Sequence, residues 1–245
     1  MPTFDFDAAA TARAMRLSIY EGMAFAVMMA FGEVYFVADA VRLGATPHEI
    51  GLLVALPLFV GALGAIIVPR FIAWTRRRKP VVLFNVAVQI LVLAGIAGAE
   101  FAGRQTPTTL LVFSCIFQAL GQAAGVAWGS WYGDVVPAAV RGRYFARRSR
   151  DSYIVMFASF IAAGALLQWL EPESAGTIAA GEGGLGYAVV FSVAVVARIV
   201  CFVLLALSPE PTFGGLADAR EAIRSIVGPS GGIMRRVIGA ACVIQ

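Results

Sequence analysis

The sequence predicts an all-α integral membrane protein with six spanning helices, and three observations carry the prediction. Hydrophobic residues make up 60% of the chain and charged residues 14%, with a mean hydropathy of +0.82; soluble domains hold ~45–50% apolar residues even with glycine counted. Six apolar runs long enough to cross a bilayer, for which ~20 residues suffice, succeed one another between residues 17 and 207. The nineteen Lys and Arg sit in bunches between these runs rather than along one face. That distribution sets nucleic-acid binding aside as a source of the +4 net charge.

Residues 1–16 form a short N-terminal segment of mixed charge, with Asp5, Asp7, Arg13 and Arg16. The first span runs from Leu17 to about Ala40. Ala38-Asp39-Ala40 has the form of a signal-peptide cleavage site, but the run is longer than a ~7–15 residue signal core and contains Glu21 and Glu33, so it is expected to be retained. Thr46-Pro47-His48-Glu49 opens the second span as a capping box with proline at the first helical position. His48 is thereby placed at a helix start. That span runs to about Ile72, is interrupted by Pro57 and carries Gly61 and Gly64, closing on Arg70 and the run Arg76 to Lys79. The third span is Val81 to Ala99, with Asn85 and Gln89 on one face.

The fourth span, about Leu110 to Tyr132, has an unusual composition, with glycine at 121, 125, 129 and 133. At ~100° per residue, Ser114, Cys115, Gln118, Gly121, Gln122, Gly125, Gly129, Tyr132 and Gly133 fall within about 60° of Gln118. The opposite side carries Phe113, Ile116, Leu120, Ala123, Ala127 and Trp131 and suits lipid or apolar neighbours. The glycine face is expected to pack closely on a neighbour or to line a cavity, so bulk at Gly125 should cost more than bulk at Ala123. Asp134, Pro137 and the run Arg141, Arg143, Arg147, Arg148 and Arg150 follow as a connection. The fifth span is Ser152 to Leu170 and the sixth Tyr187 to Leu207, with Arg198 near its centre. Residues 208–233 read as a loop with a short amphipathic helix. Residues 234–245 read as the start of a seventh span, which makes the chain the expected first half of a longer protein, or else a half-length protein that pairs with a second copy.

Sixteen Lys and Arg lie in the N-terminal segment, the 2–3 and 4–5 connections and the stretch after the sixth span, against Arg42 and Arg104 on the other side. Such a bias places both ends of the unit in the cytoplasm. Eighteen arginines to one lysine, with abundant alanine, fit a GC-rich genome and a bacterial inner membrane.

Six spans with cytoplasmic ends, a basic 2–3 connection and Asp134, Pro137, Arg141, Gly142 and Arg143 spaced as Asp-x-x-Pro-x-x-x-Arg-Gly-Arg resemble the major facilitator superfamily. The resemblance covers residues 17–245. It implies a bundle of two inverted three-helix repeats, with the first and fourth spans lining a cavity that opens alternately to either side. It also implies a second six-helix half as partner and a small organic solute as substrate, moved by secondary transport with or without coupling to protons. The family's 2–3 motif carries an aspartate where this chain has Val68 or Pro69; Asp134 is the nearest acidic candidate to take its place. The alternative reading is a facilitator-like scaffold or assembly factor that transports nothing.

An ionised side chain at mid-span costs ~2.5–3.5 kcal/mol on insertion scales, so Glu21, Glu33 and Arg198 are the leading site candidates, with Gln118 and Gln122 beside them. Glu21 lies about 6 Å from the inner end of its helix by rise per residue, where snorkelling to the surface competes with a transport role. For Glu33, cavity lining and structural pairing are both open; for Arg198 structural pairing is favoured. Gln118 and Gln122 suit either interhelical hydrogen bonds or a polar solute. Arg70, Asp134, Pro137, Arg141, Gly142 and Arg143 are candidates for cytoplasmic gating, although lipid-headgroup contact also explains the arginines. Neither a Gly-x-Ser-x-Gly elbow nor a phosphate loop occurs, so an enzyme is not expected. Cys115, Cys201, Cys242 and His48 are too dispersed for a zinc set, and no cofactor is implied. The charge bias generates a topology test: cysteines placed at positions 105 and 178 should react with an impermeant maleimide from outside, and those at 78 and 146 only after permeabilisation. The reverse pattern at either pair would overturn the orientation.

Overall fold

The computed structural model describes residues 8–171 and 184–210. The seventh span at 234–245, Cys242 and all but the first three residues of 208–233 lie outside the described residues. The elements in order are α1 (Ala8–Phe31), a 3-10 turn (Glu33–Tyr35), α2 (Phe36–Arg42), α3 (Pro47–Thr75), α4 (Lys79–Phe101), α5 (Pro107–Val135), α6 (Arg141–Leu170) and α7 (Gly184–Leu207). Among the described residues there is no strand, and six helical segments are long and apolar enough to cross a membrane.

The first span is not one helix. It begins earlier than expected, because the alanine-rich residues before Leu17 are strong helix formers, and it breaks at Gly32. There the backbone leaves the helical region (φ −110°, ψ −94°), and a Cβ would stand 2.7 Å from the Met28 carbonyl and 3.3 Å from Ala194 of α7. Only glycine fits that approach. The capping box at Thr46 forms as expected, the Glu49 amide donating to Thr46 Oγ1 and the Thr46 amide to Glu49 Oε2. Pro57 does not interrupt α3, which continues through both Pro57 and Pro69 to Thr75 and stops where Arg76 turns left-handed (φ 51°). Thr106 and Pro107 repeat the same start for α5, with Thr109 in the place of glutamate. The run from Arg141 to Arg150 is helical, the first three turns of α6 rather than a connection.

α4 and α7 cap each other. Glu210 accepts from the backbone amides of Arg78 and Lys79 at the start of α4, while the Lys79 ammonium donates to the carbonyls of Ala206 and Ser208 at the end of α7. An anion thus meets the positive end of one helix dipole and a cation the negative end of the other.

Side by side, the helices run α3, α5, α4, α7, α1, α6, each packed on the next. Two apolar clusters fill the bundle. One, around Met28, Phe36, Leu93, Phe117 and Phe191, lies at the level of the Gly32 break; the other, around Val82, Ala127, Trp131, Tyr132 and Leu205, lies toward the arginine-rich end. The two end helices of the row are barely covered: α6 buries only Tyr144 and Ala163 among its residues, and α3 only Leu53, Pro57, Gly61, Val68 and Ile72.

For α5 the expected cost of bulk at 123 and 125 reverses here, and close packing by the glycine series fails beyond Gly121, while the cavity alternative stays open. Ala123, Ala127 and Trp131 point into the core, whereas Gly125, Gly129 and Gly133 face open space with nothing within 4 Å of a built Cβ. Of that glycine series, Gly121 alone makes a close approach, to the Gln89 amide nitrogen. The tight backbone contact is supplied by α3 instead, where a Cβ at Gly64 would lie 2.3 Å from the Ala119 carbonyl oxygen. Gly64→Ala and Ala123→Leu should therefore each destabilise the bundle by about 1–3 kcal/mol or more, while Gly125→Ala should stay within about 0.5 kcal/mol. Unfolding by titration with denaturing detergent measures all three, and Gly125→Ala emerging as the worst would refute this packing.

Candidate functional site

The Gly32 break sets Glu33 at the turn between two helical pieces, half-buried and facing α5. Its Oε1 accepts a 2.5 Å hydrogen bond from Gln118 Nε2. Two of the residues singled out in the sequence, eighty-five positions apart, are thus brought together. Gln122 follows one turn further along α5, exposed, with its Cγ against Gly61 of α3. Beyond it the open glycines Gly125 and Gly129 leave the surface without side chains. The result is a strip holding a carboxylate, two amides and bare backbone, on a face left open at Gly125 and Gly129 among the described residues. Such groups can accept from and donate to a small polar molecule, and the carboxylate can carry a proton.

The other charged candidates are tied elsewhere. Glu21 is buried rather than snorkelled: its Oε2 accepts from Arg148 Nη2 at 2.7 Å. Arg148 also donates from Nε to the Ser18 carbonyl and hydroxyl, and its guanidinium lies 4.3 Å from the Trp128 ring centroid. Gly22 makes room for it, since a Cβ there would stand 2.9 Å from the guanidinium carbon. Arg198 meets neither glutamate side chain. It donates to Gln89 Oε1, and Gln89 Nε2 donates to the Phe117 carbonyl at 2.8 Å, a relay that joins α7, α4 and α5. Structural pairing describes Arg198, as its surroundings in the sequence indicate.

At the arginine-rich end, Asp134 pairs with Arg78 Nη1 at 2.5 Å, and Arg141 donates to the carbonyls of Gly133 and Val136, capping α5. Arg70, Pro137, Gly142 and Arg143 are exposed. His48 is exposed at its helix start, Cys115 is half-buried and Cys201 buried. Among the described residues no group of His, Cys, Asp and Glu could hold a metal ion.

Sequence reasoning missed a buried cluster at the opposite end, where Asp39, Arg42, Glu100 and Glu171 come from α2, α4 and the residue after α6. One signal was available: Asp39 and Arg42 are an i, i+3 pair of opposite charge at the end of an apolar helix. Gln89, Arg148 and Glu210 were likewise invisible as contact residues, because each partner lies on a different helix.

No protein-family model, curated protein or solved structure matches the chain.

The Glu21–Arg148 pair yields a test of its own. Removing one member of a buried pair strands the other at a cost of about 3–5 kcal/mol, so Arg148→Met should destabilise sharply. The double variant Glu21→Gln with Arg148→Met should recover most of that loss. A double-mutant cycle in detergent unfolding checks it, and purely additive losses would mean that the pair contributes nothing.

Proposed function

We propose that this chain forms the amino-terminal six-helix bundle of a secondary transporter of the major facilitator type, moving a small organic solute by alternating access. The observation that carries the reading is the Glu33–Gln118 contact at a break in a spanning helix, on a face left open by glycines. Broken helices near mid-membrane are where transporters form solute and ion sites, because the interrupted backbone is tolerated only beside a cavity or under protein. Within this reading Glu33 is the proton carrier and Gln118 and Gln122 contact the solute.

The packing order supports an inverted-repeat architecture. Exchanging the first span (α1 and α2) with α5, α3 with α6, and α4 with α7 turns the α3–α5 contact into α6–α1, the α4–α5 contact into α7–α1, and leaves α4–α7 unchanged. Two three-helix repeats related by a two-fold axis in the membrane plane would have this property. The poorly covered helices, α3 and α6, are equivalents under that exchange, and a second six-helix half would cover them. Asp134, held by Arg78, stands in for the acidic group missing at Val68 or Pro69. The charge bias supports a cytoplasmic N-terminus, and the composition a bacterial inner membrane. The absent motif aspartate is the observation that favours a scaffold instead.

Transport by the protein at its natural length, reconstituted in liposomes loaded with a metabolite mixture and read by mass spectrometry, separates the two. Wild type should accumulate at least one solute when a pH gradient is imposed. Glu33→Gln, which keeps shape and hydrogen bonding but cannot ionise, should lose accumulation tenfold or more and retain exchange. A wild type that moves nothing favours the scaffold; unimpaired accumulation by the Gln variant removes Glu33 from the coupling role.

A further inference from the structure

The half-helix α2 is fastened by buried charges. Arg42 Nη2 donates to Asp39 Oδ1 at 2.7 Å and to Glu100 Oε2 at 2.6 Å, so both carboxyl groups converge on a single nitrogen. Asp39 is fully buried, Glu100 is 4% exposed and Glu171 8% exposed. Glu171 Oε1 accepts from the Gly186 amide, and its charge acts on Arg42. The cluster is closed from α7 by Tyr187, whose ring centroid lies 4.9 Å from the Arg42 guanidinium carbon, and by Gly184, where a Cβ would stand 3.1 Å from Glu100 Oε2.

Among the described residues, the elements around it add no further cation. Tyr35 of the 3-10 turn faces Tyr187. From α3, His48 is exposed and Glu49 is engaged with Thr46; Arg104 beyond α4 is exposed; the outer turns of α5 hold no charged side chain. Three carboxyl groups thus share one guanidinium.

Two further observations point to what balances them. One oxygen of each carboxyl group, Asp39 Oδ2, Glu100 Oε1 and Glu171 Oε2, is buried without a donor. The Asp39 and Glu100 carboxyl groups also meet at one nitrogen, Arg42 Nη2, at 2.7 and 2.6 Å. Two ionised carboxylates are acceptors only, and they can bond each other only if one carries a hydrogen. A metal ion is not the answer, because the guanidinium already occupies the point where the oxygens converge, and the carboxyl groups do not form a metal-holding set. A proton needs no coordination sphere and supplies the donor that the orphaned oxygens lack.

We propose that Asp39 and Glu100 form a proton-binding site that holds one proton between them and pins α2 to α4 while that end of the bundle is closed. The site is separate from Glu33 and stands whether or not the protein transports. The protonated pair with Arg42 leaves one negative charge, on Glu171, against the peptide dipoles at the start of α7. Loss of the proton adds a second charge with no counterion. Water must then enter and α2 must loosen at its junction with the 3-10 turn, so release of the proton and opening of this end are one event.

Infrared spectroscopy of the protein at its natural length in lipid nanodiscs at neutral pH tests this through the carbonyl stretch of a protonated carboxylic acid. The wild type should show the band. Glu100→Gln and Asp39→Asn, each of which brings its own N–H donor in place of the proton, should each lose one component of it. Glu33→Gln is the control and should leave that component in place, which also keeps this outcome distinct from the coupling test above. A wild type without the band, or a component that survives in either carboxamide variant, would overturn the proposal. Either variant alone decides, so a folding defect in one leaves the other informative.

Discussion

Lipid tails are as apolar as leucine side chains, so the hydrophobic effect that drives soluble helices together says little about which membrane helix packs on which. A charge in the same medium is far more selective, because it must find a partner or cost several kcal/mol. The bundle is stitched along its length by groups answering that demand. Arg148 and Glu21 join α6 to α1, Arg198 and Gln89 join α7 to α4 and, through the Phe117 carbonyl, to α5, and Arg42 joins α2 to α4. Arg78 and Asp134 close α4 on α5 at the arginine-rich end. Between these links, glycines at 22, 32, 61, 64 and 121 let helices or their side chains come close.

Against that background Glu33 stands apart. Glu21 and Asp39 each face a guanidinium, whereas Glu33 accepts from a neutral amide. An amide satisfies one lone pair and neutralises no charge, so the carboxyl group keeps the capacity to change its proton or exchange Gln118 for another donor. The Gly32 break gives it a backbone that is already interrupted, and the glycines of α5 leave room in front. Glu33 is thus the place where the pairing rule that builds the rest of the bundle is only half met, which is what makes it the proposed binding group.

What could be read in advance divides by range. The six spans and the Thr46–Glu49 capping box were legible because hydropathy and capping act within a few residues. The Thr106-Pro107 start of α5 carried the same local signal and went unused, since Thr109 replaces glutamate in it. The arginine run looked like a connection on charge alone, although a helix can hold arginines wherever they meet headgroups, a glutamate or carbonyls, as Arg148 and Arg141 do. Angular arithmetic separated the glycines of α5 from Ala123, Ala127 and Trp131, yet could not say which side met the core, and it put Ser114 and Tyr132, both buried, with the glycines. Glu33 and Gln118 were legible as polar intruders but not as a pair, and the Arg42 cluster was hidden because its members lie at helix ends, where a charge raises no alarm.

The two ends of the bundle treat charge in opposite ways, and the difference bears on how each could open. Asp134 is half-exposed, 46% of its side chain in contact with solvent. Water reaches that carboxylate, while Arg78 across from it is buried. Glu210 and Lys79 work at helix ends, where hydrated substitutes are close at hand. Separation at the arginine-rich end therefore proceeds contact by contact, with water taking the place of the accessible partner in each. At the Asp39–Arg42–Glu100 end no such exchange is available, since the groups are enclosed and share a single nitrogen; breaking one contact leaves the others unbalanced. Opening there must be concerted and must bring in water or change the charge. An apolar bundle with one end held by exchangeable pairs and the other by a buried cluster resists separation unequally at its two ends, and under the proposal that Asp39 and Glu100 hold a proton, the stiffer end answers to protonation.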